Sequence, residues 1–197
     1  MDPARSAQAM DAMHQQLVDA DAGVVKLLMP PFDRTGHDPG YIRGYVPGVR
    51  ENGGQHTHAA VWAAMAFAYL GDSARAWQLA GLINPIHHAL DAQAVQRYKA
   101  EPYVLAADVY AVAPHTGRGG WSWYTGAAGW MYRLLTESLL GLQRRGTRLQ
   151  ITPCIPAAWP GYQLRYRYGT STYVIDITQR KGCLLYTSPS PRDQRGS

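Results

Sequence analysis

Apolar residues recur at Met10, Met13 and Leu17, the i, i+3, i+7 spacing that predicts a helix over residues 4–18. From Thr57 to Leu70 the chain reads THAAVWAAMAFAYL, apolar nearly all round, which predicts a helix buried on most sides. Gly71-Asp72 ends that helix, and Ser73 stands where a cap would start the next one, ARAWQLAGLI. Residues 103–112 read as a further helix, and Thr125 to Gln143 as a long one stopped by Gly146. After that the period changes. Arg148 to Ile155 reads as a strand broken at Pro153 and Pro156. Tyr162, Leu164, Tyr166 and Tyr168 alternate with polar residues, Gly169-Thr170-Ser171 turns, and Tyr173, Ile175 and Ile177 alternate again. Helices followed by strands suggest two domains. The expected boundaries are 1–146 for the helical part, 147–180 for the strands and 181–197 for a tail. A hairpin and a lead-in strand are too little sheet to be stable alone, so the strand domain reads as cut short.

Two long segments carry no period. Thr35 to Gly54 is rich in Gly, Pro and Tyr and holds Tyr41, Arg43, Tyr45 and Arg50; Asn84 to Ala100 holds His87 and His88. Long irregular stretches in compact domains are usually functional or disordered, and the residues of the first favour function. The last residues, GCLLYTSPSPRDQRGS, continue no strand pattern and resemble a translated adapter or read-through tail, the other reading being a Ser/Pro-rich disordered end.

Composition narrows the classes. With 46% hydrophobic and 17% charged residues, the chain is not disordered by composition. Two cysteines, Cys154 and Cys183, exclude a disulfide scaffold and fit a reducing compartment. The net charge of +5 includes +2 from residues 181–197, so the rest lacks the dense basic face of a nucleic-acid binder. No stretch is apolar and long enough to span a membrane, and MDPARSAQAMDAM is no signal peptide. Six Trp and thirteen Tyr stand against two Phe. Rings with a polar handle suit a wet, ring-binding groove as well as a core.

Two loop-to-helix junctions hold candidate chemistry. In Arg50-Glu51-Asn52-Gly53-Gly54-Gln55-His56-Thr57-His58, polar side chains crowd the start of an apolar helix, where free N–H groups and a partial positive charge suit an anion. A capped helix with a core histidine is the plainer alternative. Gly119-Gly120-Trp121-Ser122-Trp123-Tyr124-Thr125-Gly126-Ala127-Ala128 again brings glycines, a hydroxyl and N–H groups to a helix start, beside three rings. Close packing through Gly126 and Ala127 is its plainer alternative. His56-x-His58 and His87-His88 lack the further ligands of a metal site, and there is no HExxH, GxSxG or P-loop. The carboxylates of interest are Asp38, Glu51, Glu101 and Asp108, with Glu101 expected at a helix start.

Four segments, GYVPGVRENGGQHTHAAVWAAMAFAYLGD (44–72), EPYVLAADVYAVAPH (101–115), GRGGWSWYTGAAGWMYR (117–133) and PCIPAAWPGYQLRYRYG (153–169), together resemble the inverting glycoside phosphorylases of family 94. The second and fourth look closest to the β-1,2-glucan branch, which includes cyclic β-1,2-glucan synthases and β-1,2-oligoglucan phosphorylases. The resemblance implies a mainly α fold: the C-terminal part of an (α/α)6 barrel followed by the first strands of a small β domain. It implies phosphorolysis of a β-glucan, with inorganic phosphate as co-substrate and no cofactor or metal. By motif it assigns phosphate binding to His58, Thr125 and Gly126, and acceptor-side sugar contacts to Tyr45, Arg50 and Glu51. His56 stands where the family pattern has an aromatic such as Tyr.

The family's general acid lies in an Asp-Trp-Asn-Asp-like segment, and nothing of that form occurs here. The acid is therefore expected upstream of Met1, and the chain is expected to be an inactive fragment. The expected partners are a β-glucan oligosaccharide and phosphate, not nucleic acid, with a homodimer open for the full-length protein. The expected location is the cytoplasm, or the cytoplasmic domain of an inner-membrane synthase. Two other readings stand beside it: an inverting hydrolase on the same barrel, with Glu51 or Glu101 as base, and a non-catalytic carbohydrate-binding module.

Overall fold

The computed structural model describes residues 2–34, 36 and 38–180. The expected tail, 181–197, lies outside the described residues. These form two compact units, one ending at Ile155 and the other starting at Pro156. The expected boundary at 147 falls between the first hairpin strands, whose hairpin belongs to the first unit.

In the first unit, α1 spans Pro3–Leu17, capped by the Asp2 carboxylate on the Ala4 N–H. Met10 and Met13 lie against the core, as their spacing predicts. The short strands β1 (Val18–Asp19) and β2 (Val24–Val25) form an antiparallel pair. A 3-10 turn covers Gly40–Gly44, and β3 (Gln55–His56) leads directly into α2 (Thr57–Tyr69). The helix α3 spans Ser73–Ile83, and its cap is Asp72, not Ser73. The Asp72 carboxylate accepts from the Arg75 N–H, which a serine one position later does not reach.

The core is where α2 meets α3 and the helix that follows the second loop. Val61, Ala64, Phe67, Ala76, Leu79, Leu134 and Leu139 are fully buried there. The α2 helix is buried on most sides, as its apolar run predicts: Ala60, Val61, Ala64 and Phe67 are buried, Ala63, Met65 and Ala68 pack half-buried against the core, and Trp62 and Tyr69, seven residues apart on one face, are exposed.

Three further expectations change. Residues 84–100, read as irregular, contain α4 (Ala92–Tyr98), capped by Asp91. Only Tyr98 of that helix is buried, so its sequence shows no apolar stripe. Residues 103–112, read as a helix, form none: the Val104 N–H turns back to the Glu101 carbonyl, and the chain then runs on to β4 (Asp108–Val109). Val104 to Val109 are all buried. A short, continuously apolar run fits a buried strand or a buried helix equally well.

The long helix expected from Thr125 to Gln143 is α5 (Ala127–Arg133) followed by a π-helical turn, Leu134–Leu139. It stops at Gly141, which has φ +75° and packs so closely on the Thr152 backbone that a Cβ would lie 2.2 Å away. The chain then makes a hairpin of β5 (Leu142–Arg145) and β6 (Arg148–Ile151).

In the second unit, β7 (Gly161–Tyr168) pairs with β8 (Ser171–Thr178) in the register that alternation predicts. Tyr162 faces Ile177, Leu164 faces Ile175, and Tyr166 faces Tyr173. The Gln179 side chain closes the base of the hairpin by donating to the Pro156 and Trp159 carbonyls.

Candidate active site

A small antiparallel ladder brings the two loops together. Gln55 and His56 pair with Val109 and Asp108, and Val109 bridges to Gly119 on its other side. The Thr57 N–H donates to the Ala107 carbonyl (2.9 Å), and the Ala107 N–H donates to the Trp121 carbonyl (2.6 Å). The segment 107–109 thus lies between the approach to α2 and the approach to α5. The two helices pack further along through Trp62 and Trp130, edge to face at 5.3 Å between centroids.

The polar residues of the first loop divide into two sets. Asn52 and Gln55, both buried, hold the backbone. Asn52 Oδ1 accepts from the Phe32 N–H, and Nδ2 donates to the Phe32 and Tyr45 carbonyls. Gln55 Oε1 accepts from the Val25 N–H, and Nε2 donates to Thr57 Oγ1. Neither is left to bind a ligand.

The second set is Arg50, Glu51, His56 and Asp108. Arg50 Nε lies 3.5 Å from Glu51 Oε2, and Arg50 Nη1 lies 3.5 Å from Asp108 Oδ1. His56 Nδ1 is 4.0 Å from Glu51 Oε1. Arg50 Nε, Glu51 Oε2 and His56 Nδ1 are buried with no hydrogen-bond partner among the described residues. Such groups are rare and ask for an explanation. Arg50 also has φ +47°, and Trp123 across the site has φ +64°. Left-handed backbone costs a non-glycine residue about 1–2 kcal/mol and concentrates at functional sites.

Of the residues assigned by resemblance, His58 is half-buried on α2 between the His56 ring (5.0 Å) and the Trp62 edge (4.6 Å). Thr125 Oγ1 accepts from the Ala127 N–H, which leaves its hydroxyl proton available to a ligand. Gly126 is exposed, and a Cβ there would meet nothing within 4 Å, so close packing is not what its missing side chain serves. Tyr45 is half-buried, with the Arg50 guanidinium 5.6 Å from its ring centroid. Arg43 and Tyr41 are exposed.

The other carboxylates have local duties. Asp38 Oδ1 accepts from the Gly40 N–H. Glu101 is not at a helix start, because no helix forms there. Its oxygens accept from Ser122 Oγ (3.0 Å) and Trp123 Nε1 (3.1 Å). With its own backbone N–H, these bonds hold its pKa below the ordinary value. His87 and His88 bond to the Gly81 and Leu82 carbonyls. Among the described residues no group of three or more His, Cys, Asp and Glu could hold a metal ion, and no helix is long and apolar enough to cross a membrane.

Asp108 is the residue that sequence reasoning noticed without placing. Read as helical, it had no route to the site; as the middle strand it lies under Arg50 and Trp121. Burial pushes its pKa up, against the Trp121 N–H and the Arg50 charge, which pull it down. Burial also pushes the His56 pKa down, and the Glu51 charge partly restores it.

The two shifts act in opposite senses on stability. Asp108, with a raised folded pKa, contributes stability that is full below the ordinary carboxylate value and lost as pH rises through its folded titration. His56, with a lowered one, contributes stability present above the ordinary imidazole value and lost as pH falls through its folded titration. Glu51→Gln is therefore expected to move the His56 titration to still lower pH, followed by NMR of the ring nitrogens. An unmoved or raised titration would show that the two groups do not interact.

The sequence model of the glycosyl hydrolase 94 superfamily, catalytic domain, matches residues 2–141. The chain is 47% identical over 178 residues to the cyclic beta-(1,2)-glucan synthase NdvB of Rhizobium meliloti (strain 1021), covering 90% of this chain and 6% of that protein. It is 32% identical over 174 residues to an N,N'-diacetylchitobiose phosphorylase of Vibrio proteolyticus, covering 88% of this chain and 21% of that protein. It is 31% identical over 160 residues to a 3-O-beta-D-glucopyranosyl-beta-D-glucuronide phosphorylase of Paenibacillus borealis, covering 80% and 20%. The chain thus spans a minor part of the length of each of these relatives. With the family model matching more than half of its residues, the chain belongs to the glycosyl hydrolase 94 superfamily, by its catalytic domain.

Proposed function

We propose that this chain supplies the phosphate side and the acceptor side of an inverting glycoside phosphorylase site acting on a β-glucan, β-1,2-linked by preference. In this reading it is part of an (α/α)6 barrel, and the general acid comes from outside residues 1–197. A phosphate oxygen attacks the anomeric carbon as the glycosidic C–O bond breaks. The acid protonates the leaving oxygen, and the product is α-glucose 1-phosphate. Phosphate is already an anion, so no carboxylate base is required, unlike the paired carboxylates of inverting hydrolases. His58, the Thr125 hydroxyl and the Gly126 N–H hold phosphate. Tyr45, Arg50 and Glu51 meet the sugar.

The observation that carries the reading is the ladder through 107–109, which joins the α2 and α5 approaches beside the ion-paired cluster of Arg50, Glu51 and His56, whose side chains stay about a fifth exposed (18–22%). Sugar hydroxyls both donate and accept, so they suit a guanidinium, a carboxylate and an imidazole presented together. The hydrolase alternative would need Glu51 or Glu101 as base, and each Glu101 oxygen already accepts one hydrogen bond, from Ser122 or Trp123. The similarity to named phosphorylases supports phosphate as the nucleophile, and the similarity to NdvB supports the β-1,2 linkage.

Inorganic phosphate titrated into the chain, followed by NMR, is expected to bind at least tenfold more weakly to His58→Ala and Thr125→Ala. Incubated with phosphate and a β-1,2-linked glucose oligosaccharide, the chain alone is expected to release no glucose 1-phosphate. Release would overturn the placement of the acid. Oligosaccharide binding indifferent to phosphate and to His58→Ala would instead establish a binding module.

A further inference from the structure

We propose that Asp108 is a positioning residue for the sugar chain: its buried carboxylate fixes the Arg50 guanidinium against the Trp121 ring, so that Arg50 and Glu51 meet sugar hydroxyls in one geometry. The proposal rests on the acceptor-side reading of Arg50 and Glu51.

Asp108 is 1% exposed and sits on the middle strand of the ladder, so it does not itself reach a ligand. Its Oδ1 faces two groups at once, the Trp121 N–H at 3.2 Å and Arg50 Nη1 at 3.5 Å. One oxygen therefore couples the aromatic loop to the guanidinium. Arg50 is braced from the sides as well, with its Cζ 5.2 Å from the Trp121 ring centroid and 5.6 Å from that of Tyr45. The Gly120 backbone lies directly over the carboxylate: a Cβ there would come within 2.4–2.5 Å of all three carboxyl atoms. The carboxylate therefore occupies the space beside Gly120 that any side chain there would need. A guanidinium carries five donors in a rigid fork. With Nη1 held by Asp108, the orientation of the others is set before a sugar arrives, which spares the ordering cost of binding.

The test uses the 197-residue chain, a β-1,2-linked glucotriose and inorganic phosphate, each titrated separately and followed by NMR. Asp108→Asn keeps the shape and an acceptor for the Trp121 N–H but removes the charge facing Arg50. It is expected to weaken glucotriose binding at least tenfold and leave phosphate affinity within twofold. In an Arg50→Ala background, the same change is expected to have no further effect. Unchanged glucotriose affinity, an equal loss in the Arg50→Ala background, or a parallel loss of phosphate binding would overturn the proposal. Absence of glucotriose binding by the unaltered chain would instead overturn the acceptor-side reading beneath it. Should Asp108→Asn fail to fold, the unaltered chain decides. A slowly exchanging Arg50 Nε–H with an Overhauser contact to the Trp121 ring is expected, and a freely rotating guanidinium refutes the positioning role.

Discussion

Replacing Phe67 by alanine is expected to lower the unfolding free energy by about 3–5 kcal/mol, the usual range for a phenylalanine deleted from a packed core. Phe67 is fully buried on α2, in the cluster that joins α2, α3 and the α5 region. Two polar groups also use its ring. The His14 ring meets it edge-on at 5.9 Å, and the Arg75 guanidinium lies 4.5 Å from its centroid. Arg75 is itself tethered by Asp11 and Asp72, so it does not follow a shrinking side chain into the cavity. The loss therefore combines transfer of a large apolar group, an unfilled cavity and a missing cation–π contact. A urea titration should show a lower midpoint at unchanged slope. A loss below about 1 kcal/mol, the scale of an ordinary surface substitution, would mean that α2 and α3 are not packed as described.

The second large effect is expected at Gly120→Ala. The new methyl carbon would fall 2.4 Å from Asp108 Oδ2 and 2.5 Å from Oδ1 and Cγ. The carboxylate is enclosed, so the main chain of the Gly120 segment has to move instead. That breaks the Gly120 N–H bond to the Asp108 carbonyl (2.8 Å) and the Trp121 N–H bond to Oδ1. Overpacking and the disruption of a buried charged pair together place the cost on the order of 3 kcal/mol. Removing the carboxylate should relieve the clash. The double variant Asp108→Ala with Gly120→Ala is therefore expected to lose less than the sum of the two single losses. Strict additivity in thermal or urea unfolding would refute the contact. Gly126→Ala serves as a control, since open space surrounds that position and its stability should change by less than about 1 kcal/mol.

Both substitutions probe contacts that the sequence reveals to different degrees. Phe67 lies four residues C-terminal to Ala63 in a helix whose limits, Thr57–Tyr69, are plain from its apolar run and the glycine beyond it. The local pattern yields the helix, while which apolar face carries Phe67 into the core is decided by packing. The β7–β8 hairpin is legible for the same reason, since alternation at period two fixes both the faces and the register. The family is legible too, because several long motifs occur in order, and the match over residues 2–141 agrees with them.

Gly120 and Asp108 are another matter. Glycines at 119 and 120 suggest a turn or an anion loop, and nothing nearby announces a carboxylate beneath them. Residues 104–109 form an unbroken apolar stretch around one aspartate, and neither helical nor strand period can be read from a run buried on all sides. The end of the helix near Gly141 is hidden likewise, because what stops it is the Thr152 backbone pressed against it.

The family motifs, and with them the candidate roles of His58 and Thr125, come from resemblance; the residue pattern by itself yields the helices α1 to α3 and the β7–β8 hairpin. These rest on side-chain patterns within a few turns of chain, where the period and the caps are local. Only the tertiary structure decides that Asp108–Val109 is a strand, that it joins the approaches to α2 and α5, and that Asp108 lies under Arg50. The physical reason is where the main-chain hydrogen bonds of that segment go. The Thr57 and Gly120 N–H groups donate to the Ala107 and Asp108 carbonyls, the Ala107 N–H donates to the Trp121 carbonyl, and just beyond, Tyr110 and Ala111 donate to the Arg118 and Gly48 carbonyls. Partners so far away in sequence leave no periodic trace in the segment they order.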